Sequence, residues 1–399
     1  MSELSYLEKL MDGVEVEWKT LEDITLRTSN IKWREAIRSY RYIDLTSVDI
    51  ATKKIIETTE ITKNNAPSRA QKLVDENDVI FATTRPTQQR FCLIDSEYAG
   101  AVASTGYCIL RAKKDQVLPK WILHWISTSD FKKHVEENQS GSAYPAISDS
   151  KVKECLIPIP CPDNPEKSLA IQSEIVRILD TFTALTAELT AELTAELNMR
   201  KKQYNYYRDQ LLSFKEGEVE WKTLGEVAQF KRGTAITQKQ TTPGEIPVVA
   251  NGPIPTYFHS ESNRQGETIV IARSGAYAGY VSFWDQPIFL TDAFSVHSDL
   301  KIVKPKFIYH VLQNKQEHIH AMKKGAGVPH VRVKEFETYD IPIPPITEQD
   351  RIVSILDKFD TLTNSITEGL PREIELRQKQ YEYYRDLLFS FPKPETVSK

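Results

Sequence analysis

The chain contains the same segments twice, so its fold must be built from two related halves. Glu-Val-Glu-Trp-Lys-Thr-Leu occurs at 15–21 and again at 218–224, an offset of 203 residues. Identity over a segment of this length is not expected by chance and indicates a tandem duplication. The other repeated segments are Ile-Pro-Ile-Pro, at 157–160 and 341–344, and Lys-Gln-Tyr-x-Tyr-Tyr-Arg-Asp, at 202–209 and 379–386.

Two of the repeated regions have the periodicity of long helices. Apolar residues recur at steps of three and four from 171 to 211, and again from 352 to 388 at an offset of 177. We therefore predict two helices of equal length, about 57 Å each, that pair as an antiparallel coiled coil. Gly369 and Pro371 should bend or break the second helix. The predicted seam consists of Leu185, Leu189, Leu193 and Leu197 in the first helix and Leu362, Ile366, Leu370 and Ile374 in the second.

The first helix contains a low-complexity array. Thr-Ala-Glu-Leu occurs three times in succession at 186–197. Each tetrad lengthens a helix by about 6 Å and rotates it by about 40° beyond a full turn. Two interpretations stay open at this point: a plain solvated spacer, or a device that sets the separation and rotation of whatever the helix carries.

The blocks between the first repeated segment and the long helix differ in length by 26 residues, since the offsets are 203 and 177, and the first block is the longer. Within these blocks lie two inserts, from about 25 to 155 and from about 228 to 338, in which we find no shared string. Runs of β-branched residues predict strands at 78–82 and 267–272, with short helices following. Each Ile-Pro-Ile-Pro is predicted to be an extended connector, because a proline disfavours the helical conformation of the residue before it and cannot donate a backbone hydrogen bond inside a helix. The predicted fold class is α+β: a tandem pseudo-repeat with two α/β domains separated by two long helices.

The predicted division has four parts. We call the repeated regions the frames. Residues 1–160 form an N-terminal α/β domain with the start of the first frame, and 161–216 form the central helical spacer with the tetrads. Residues 217–344 form the C-terminal α/β domain, and 345–399 form the second helical spacer and tail. The segment from Ser5 to Leu21 resembles the stretch after Tyr207, which predicts that the chain termini lie close together.

Composition places the protein in a broad class. The 399 residues are 40% hydrophobic and 27% charged, which is typical of globular proteins. There is no signal peptide and no apolar run of about 18 residues, so we expect a cytoplasmic protein without membrane spans. The four cysteines form no Cys-x-x-Cys pair and the eight histidines lack metal-ligand spacing, so no metal site is predicted.

The usual signatures of catalysis are missing. The sequence contains no P-loop, no Gly-x-Gly-x-x-Gly, no Gly-x-Ser-x-Gly and no Asn/Asp-Pro-Pro-Tyr string. Glu17-Trp18-Lys19 and Glu220-Trp221-Lys222 superficially suggest a nuclease, but they lack suitably placed partner carboxylates. We therefore expect a binding protein and not an enzyme.

Local charge favours a polyanionic partner, although the net charge is −4. Residues 27–72 hold ten Lys and Arg against five Asp and Glu, and residues 301–334 hold eight against one, with four histidines besides. Clustered cations suit phosphate contacts, while Arg, Asn, Gln and Ser suit base edges. Solvated surface faces are the alternative explanation.

The repeated frames, the two unrelated inserts and the tetrad array resemble the DNA-specificity (S) subunit of type I restriction-modification enzymes, and the Gln-Tyr-x-Tyr-Tyr-Arg-Asp strings point to its IC group. The resemblance implies that each insert is a target recognition domain reading one half of a bipartite duplex DNA target. It also implies docking of two methyltransferase (M) subunits and up to two endonuclease (R) subunits. AdoMet, ATP and Mg²⁺ would belong to those partners, with no cofactor bound by this chain.

Several strings in the inserts resemble segments of such recognition domains, among them Ala66-Pro67-Ser68-Arg69-Ala70 and Ile271-Ala272-Arg273-Ser274-Gly275. From these strings we predict the residues that contact DNA. They are Arg69, Arg85, Ser142 and Tyr144 in the first domain and Arg273, Ser274, His330 and Arg332 in the second.

Two other functions remain open. A non-catalytic scaffold with two protein-binding α/β modules on a coiled coil would suit the acidic net charge. A DNA methyltransferase acting alone would require AdoMet binding by the isolated chain. Salt-sensitive binding to duplex DNA that occurs only with a partner subunit would favour the specificity subunit over both.

Overall fold

The computed structural model describes residues 14–324, 328–365 and 367–393. The chain divides into two compact units: unit 1 ends at Thr190 and resumes at Leu376, and unit 2 is Ala191–Glu375. Each unit contains one insert together with parts of both predicted helical regions. Across the described ranges, no helix is long and apolar enough to cross a membrane.

Unit 1 contains two four-stranded sheets, ordered β2-β9-β6-β7 and β4-β3-β8-β5, and the pair β1-β10. Only β3 and β8 run parallel; the other neighbours are antiparallel. The strands are β1 (Val16–Thr20), β2 (Thr25–Leu26), β3 (Tyr40–Ile43), β4 (Thr59–Ile61), β5 (Ala70–Leu73), β6 (Val79–Ala82), β7 (Phe91–Leu93), β8 (Val102–Ser104), β9 (Tyr107–Ala112) and β10 (Leu156–Pro160).

Unit 2 repeats this plan with one strand fewer among the described residues. Its sheets are ordered β12-β18-β15-β16 and β14-β13-β17, with β13 and β17 parallel, and β11 pairs with β19. The strands are β11 (Glu220–Thr223), β12 (Ala228–Arg232), β13 (Ile246–Val249), β14 (Tyr257–His259), β15 (Glu267–Ala272), β16 (Val281–Asp285), β17 (Phe289–Leu290), β18 (Ala293–Ser298) and β19 (Asp340–Ile343). The counterpart of β5 is the strand that is missing from this order.

The helices fall into short ones inside the inserts and long ones in the frames. Pro119 and Pro305 each begin a helix, a position where the missing N–H is not needed. The α-helices are α1 (Pro119–Trp125), α2 (Ser129–Asn138), α3 (Asp149–Lys153), α4 (Pro165–Leu211), α5 (Leu224–Val227), α6 (Pro305–Asn314), α7 (Gln316–Ala321), α8 (Val333–Glu337), α9 (Ile346–Asn364) and α10 (Gly369–Leu388). Short 3-10 helices span Trp33–Glu35, Leu45–Ser47, Pro86–Gln88, Ser96–Tyr98 and Gln238–Gln240.

The repeated strings pair with one another. In unit 1 the first Glu-Val-Glu-Trp-Lys-Thr-Leu contributes β1, which runs antiparallel to the first Ile-Pro-Ile-Pro in β10. In unit 2 the second copies form β11 and β19 in the same way. Each Ile-Pro-Ile-Pro is therefore extended as predicted, but it is a paired strand and not only a connector.

The long helices differ in continuity. α4 is one helix of 47 residues, whereas the second region forms α9, of 19 residues, and α10, of 20 residues. The break falls just before Gly369, which has φ +73 and whose Cβ, if present, would lie 2.5 Å from the carbonyl oxygen of Thr361. The predicted break in the second helix is confirmed.

The tetrad leucines are not fully buried. Leu185 is 50% exposed, and Leu189, Leu193 and Leu197 are intermediate. Leu362, Leu370 and Ile374 are also intermediate, and Ile366 lies outside the described residues. These positions therefore form a half-buried stripe, and the buried apolar positions of α4 lie near its ends, at Ile171, Ile175, Val176, Leu179 and Tyr204.

Each unit contains the same aromatic contact between its frame helices. In unit 1, Phe182 of α4 lies against Tyr384 of α10, with ring centroids 5.8 Å apart. In unit 2, Tyr207 of α4 lies against Phe359 of α9 at 5.6 Å. Phe182 corresponds to Phe359, and Tyr207 to Tyr384, at the offset of 177. α4 therefore contributes the phenylalanine of this contact in unit 1 and the tyrosine in unit 2.

One repeat inside the inserts was missed. Pro-Lys-x-Ile-x-His occurs at 119–124 and 305–310, an offset of 186 that matches neither frame offset. The prediction that the inserts share no string is therefore wrong. Both copies form the start of a helix that packs between the long helix of its unit and one four-stranded sheet, which contains β6 in unit 1 and β15 in unit 2. Trp121 and Phe307 are fully buried in the respective cores.

The repeated lysine and histidine attach this helix to the long helix. In unit 1, Asp180 of α4 accepts from Lys120 Nζ at 2.6 Å and lies 2.9 Å from His124 Nε2. We call this arrangement the Lys-His-Asp cluster. Its counterpart in unit 2 consists of Lys306, His310 and Asp357, at 3.0 and 2.7 Å.

The described ends of the chain meet in unit 1. Trp18 Nε1 donates to the carbonyl oxygen of Pro392 at 2.7 Å, and Lys393 forms an ion pair with Asp130 at 2.9 Å. Phe389 packs against Trp121, with ring centroids 4.6 Å apart. The prediction that the termini lie close together is confirmed for the described residues.

Candidate nucleic-acid interface

In each unit, one loop follows a central strand of a four-stranded sheet, β6 in unit 1 and β15 in unit 2, and pairs with a second loop. The N-terminal loop pair comprises 83–85, which follows β6, and 140–147. The C-terminal loop pair comprises 273–275, which follows β15, and 324 with 328–331. These segments contain six of the predicted DNA-contacting residues: Arg85, Ser142, Tyr144, Arg273, Ser274 and His330.

The N-terminal loop pair is held by backbone hydrogen bonds. The N–H of Ile147 donates to the carbonyl of Thr83 at 2.9 Å, and the N–H of Arg85 donates to the carbonyl of Pro145 at 2.7 Å. Arg85 has φ 49, in the left-handed region. The loop therefore turns sharply at Arg85 and presents its side chain to solvent.

The C-terminal loop pair has the same ladder. The N–H of Val331 donates to the carbonyl of Arg273 at 2.9 Å, and the N–H of Gly275 donates to the carbonyl of Pro329 at 2.9 Å. Gly275 has φ 84. Position by position, Thr83 thus corresponds to Arg273, and Arg85 corresponds to Gly275.

Cationic and aromatic groups dominate the N-terminal pair. The Arg85 guanidinium carbon lies 5.2 Å from the centroid of the Tyr144 ring, a cation–π geometry. Tyr144 is 72% exposed, and Ser142 is exposed on the same loop. The structure therefore brings Arg85 and Tyr144 together, with Ser142 beside them.

Arg69 lies on a neighbouring element. It directly precedes β5, and its carbonyl accepts the N–H of Thr105 at 2.8 Å, while the carbonyl of Gly106 accepts the N–H of Thr83 at 2.8 Å. The turn at 105–106 thus connects Arg69 to the N-terminal loop pair. Its side chain is exposed, and no contact within the described ranges joins it to Arg85 or Tyr144.

Polar side chains from three strand ends converge at the C-terminal pair. Arg273 Nη2 lies 2.5 Å from Asp292 Oδ1, and Asn251 Nδ2 donates to Asp292 Oδ2 at 2.6 Å. Asn251 Oδ1 accepts the backbone N–H of Arg273 at 2.7 Å. Asn251 and Asp292 were not among the predicted site residues, because nothing along the chain marks them.

His330 and Arg332 border the same loop. The backbone of His330 exchanges two 2.9 Å hydrogen bonds with Lys324, and Arg332 follows the ladder directly, with its side chain exposed. Glu335 accepts from Lys324 Nζ at 2.7 Å and from the Arg332 N–H at 2.9 Å. Partial burial would raise the pKa of the Glu335 carboxyl, but these two contacts outweigh burial and hold that pKa below its ordinary value.

Acidic neighbours neutralise part of the predicted positive charge. Arg41 contacts Glu97 at 2.6 Å, and Lys72 contacts Asp149. Other cations border the loop pairs: Lys323 Nζ donates to the carbonyl of Ala276 at 3.1 Å, close to Gly275. The number of Lys and Arg residues in the two basic stretches therefore overstates the positive charge that a polyanion could meet, because some of these residues are paired with carboxylates.

The part of the chain that the structure describes contains no candidate metal site. No group of three or more His, Cys, Asp or Glu side chains has a geometry that could hold a metal ion there. The convergent groups at the loop pairs are hydrogen-bond donors, acceptors and one exposed ring, which suit recognition of polar edges and phosphates.

Comparison with known proteins gives the same family throughout. Residues 14–199 and 216–376 match the family described as type I restriction modification DNA specificity domain. The Escherichia coli type I restriction enzyme EcoR124I/EcoR124II specificity subunit is 45% identical over the full length of both chains. The Escherichia coli EcoprrI specificity subunit is 38% identical, covering 92% of this chain and 93% of its own.

A solved structure from work on complex assembly and conformational transition of the type I R-M system has the same fold. Its TM-score is 0.67 at 21% identity, with 94% of this chain and 97% of that chain covered. The two matched ranges cover both halves of the duplicated chain, and each range contains one of the two inserts. The chain therefore belongs to the family of type I restriction-modification DNA specificity subunits.

Proposed function

We propose that this chain is the non-catalytic DNA-reading subunit of a type I restriction-modification complex, in which each recognition domain reads one half of a bipartite duplex target. The two loop pairs carry the proposal. They share one backbone ladder but present different side chains, which is what two readers of different base sequences need. The DNA contacts we propose are Arg69, Arg85, Ser142 and Tyr144 on one side and Arg273, Ser274, His330 and Arg332 on the other.

The proposal assigns the chemistry to other chains. Two M subunits would dock on the duplicated frames, because two similar surfaces suit two identical partners. Up to two R subunits would join them in the cytoplasm. AdoMet, ATP and Mg²⁺ would be bound by those subunits. In this proposal residues 1–160 and 217–344 are the two recognition domains, and residues 161–216 and 345–399 are the helical spacers.

The helical frames would set the distance between the half-sites. One tetrad adds about 6 Å and about 40° to a helix, whereas one DNA base pair adds about 3.4 Å and about 34–36°. Both rotations are right-handed and nearly equal, and bending of DNA can absorb the difference in rise. Deleting Thr194–Leu197 should then shorten the unread spacer, about seven base pairs, by one without altering either half-site.

Methylation mapping tests the proposal. The chain is co-expressed with the M subunit from its own host, and methylated positions are mapped across the genome. We expect one bipartite motif with an unread spacer, and no methylation when either chain is expressed alone. Binding of duplex DNA by the complex should weaken about 10³-fold or more between 50 and 200 mM salt. A scaffold would show no salt-sensitive DNA binding, and AdoMet binding by the isolated chain would instead indicate a methyltransferase.

A further inference from the structure

Asn251, at the C-terminal loop pair, uses all of its hydrogen-bonding capacity within the protein. Asn251 Oδ1 accepts the backbone N–H groups of Arg273 and Ser274, at 2.7 and 3.2 Å. Its Nδ2 donates to Ser274 Oγ at 3.0 Å and to Asp292 Oδ2 at 2.6 Å. An amide side chain offers two acceptor sites and two donors. Asn251 is therefore fully used inside the protein and has nothing left for a DNA base.

Ser274 and Asp292 are almost as fully engaged. Ser274 Oγ accepts from Asn251 and donates to Asp292 Oδ2 at 3.3 Å. Asp292 therefore accepts from three groups, because Arg273 Nη2 lies 2.5 Å from its Oδ1. The free capacity that remains is on Arg273: a guanidinium has five N–H donors, and within the described ranges only the contact with Asp292 uses any of them. The Arg273 side chain is 43% exposed.

We propose that Arg273 reads a guanine in the half-site of unit 2, and that Asp292 and Asn251 are positioning residues that hold its guanidinium for this purpose. This inference rests on the proposed function. The planar guanidinium fork matches the O6 and N7 acceptors that guanine presents in the major groove. Ser274, although predicted to contact DNA, acts through Arg273 in this arrangement.

The carboxylate also determines what kind of binding Arg273 contributes. An unpaired arginine binds phosphate at any sequence, and each phosphate contact adds to the salt dependence of affinity. The ion pair of Arg273 with Asp292 has little net charge, because the carboxylate offsets the guanidinium, so the contact that Arg273 makes depends on bidentate geometry at a base. Asp292 has φ 36, a backbone conformation that non-glycine residues rarely adopt, so the surrounding structure holds this carboxylate in place.

Two variants separate guanine reading from a general phosphate contact. R273A should lose discrimination at one guanine position by about tenfold to a hundredfold, with all other positions unchanged. D292N keeps the shape of the side chain but removes its charge. It should bind arbitrary duplex DNA more tightly, with a salt slope steeper by about 0.9, while discrimination at that guanine falls.

The test uses the full chain assembled with its M subunits. The probes are the wild-type target duplex and duplexes with each base pair of the half-site replaced in turn, with Kd measured at 50 and 200 mM salt. R273K retains the charge and the ion pair with Asp292, so assembly is preserved, yet it lacks the planar fork and should lose the same discrimination. R41A is the matched control, because Arg41 also pairs with a carboxylate, that of Glu97, but is not among the proposed DNA contacts. It should leave every position of this half-site unchanged.

Several results would overturn the inference. R273A and R273K could weaken binding to all duplexes equally, which would make Arg273 a phosphate contact. D292N could weaken target and non-target duplexes alike, which would make Asp292 a structural residue only. A wild-type target without guanine in the half-site of unit 2 would also contradict it, while the proposed function would stand. A complex with no sequence preference at all would instead refute the proposed function.

Discussion

Where the N-terminal loop pair has Arg85, the C-terminal loop pair has Gly275, although the backbone N–H of each donates to a proline carbonyl on the opposite loop. The cation on the N-terminal side lies over the ring of Tyr144. On the C-terminal side the cation is Arg273, two positions earlier in the ladder, paired with Asp292. The backbone hydrogen bonds hold the loops without using side chains, so the side chains are free to differ between the two readers.

The units also differ in what lies beside the loop pair. β5 belongs to the four-stranded sheet of unit 1, and the corresponding sheet of unit 2 is ordered β14-β13-β17 without it. Arg69 directly precedes β5, whereas the same edge of the unit 2 sheet has an isolated antiparallel bridge between Arg264 and Ile288 in place of a strand.

Exchanging a whole insert is the strongest way to break this comparison. Replacing residues 25–155 with the corresponding insert of the EcoprrI relative should replace one half-site completely and leave the other unchanged. We expect affinity for the original target to fall by about 10³-fold or more, the usual margin of specific over non-specific binding. Methylome mapping measures this, with exchange of residues 228–338 as the reciprocal control. A change in both half-sites, or in neither, would contradict independent reading.

The Lys-His-Asp clusters sharpen the comparison at the level of stability. The side chain of His310 is completely buried, whereas that of His124 is 6% exposed. H310A should cost about 2 kcal/mol, because it removes the His310 hydrogen bond to a partly buried carboxylate, which then keeps only Lys306, and because it leaves a cavity where the buried ring was. This should lower Tm by roughly 4–8 °C. H124A should cost less. Calorimetry of the full chain measures both, with H318A, at an exposed histidine of α7, as the control. Equal losses for all three would contradict a role for burial.

Tyr144 and Val328 occupy the same place in the two ladders, one residue before the proline, and are 72% and 65% exposed. Y144A removes the ring beneath Arg85 and should weaken binding of the target by about fivefold, equivalent to about 1 kcal/mol. V328A should change it by less than about twofold. Titration of the assembled complex with its target duplex distinguishes the two. Equal effects would show that the cation–π contact does not contribute to reading.

The smallest expected effect concerns pH. Burial raises the pKa of the Asp357 carboxyl, but hydrogen bonds from His310 and Lys306 outweigh burial, so that its pKa is lowered; Asp180 behaves in the same way. A lowered pKa stabilises the folded state above the unfolded value of about 3.9, and this contribution is lost as the pH falls through the folded pKa.

D357N and D180N should therefore lower Tm at pH 7 by only about 2 °C, because both carboxylates are partly solvated. The difference from the wild type should begin to shrink as the pH falls below about 4 and should disappear only once the pH is below the lowered pKa of the folded state. Thermal melts between pH 3 and pH 7 measure this. A difference that persists at the lowest pH would show that the carboxylate charge is not the source of the stability.

The long frames could be predicted from sequence because their signals are local and repeated. Helical periodicity gave α4 and the α9–α10 region, and Gly369 with Pro371 indicated the break between the latter two. The depth of burial could not be predicted in this way. Leu185 has the spacing of a seam residue but is half exposed, because the burial of a helix face depends on the surface that covers it and not on its own pattern.

By itself, the sequence determined that the chain is a duplication with two different inserts, since identity at a fixed offset requires no structure to be seen. It also located most of the loop residues that the two ladders bring together. Only the tertiary structure joined Asn251 and Asp292 to Arg273, because these residues lie at the ends of different strands. β13 pairs with β17, and β15 pairs with β18. Those pairings bring strand ends far apart along the chain within hydrogen-bonding distance, and no local pattern in the sequence encodes them.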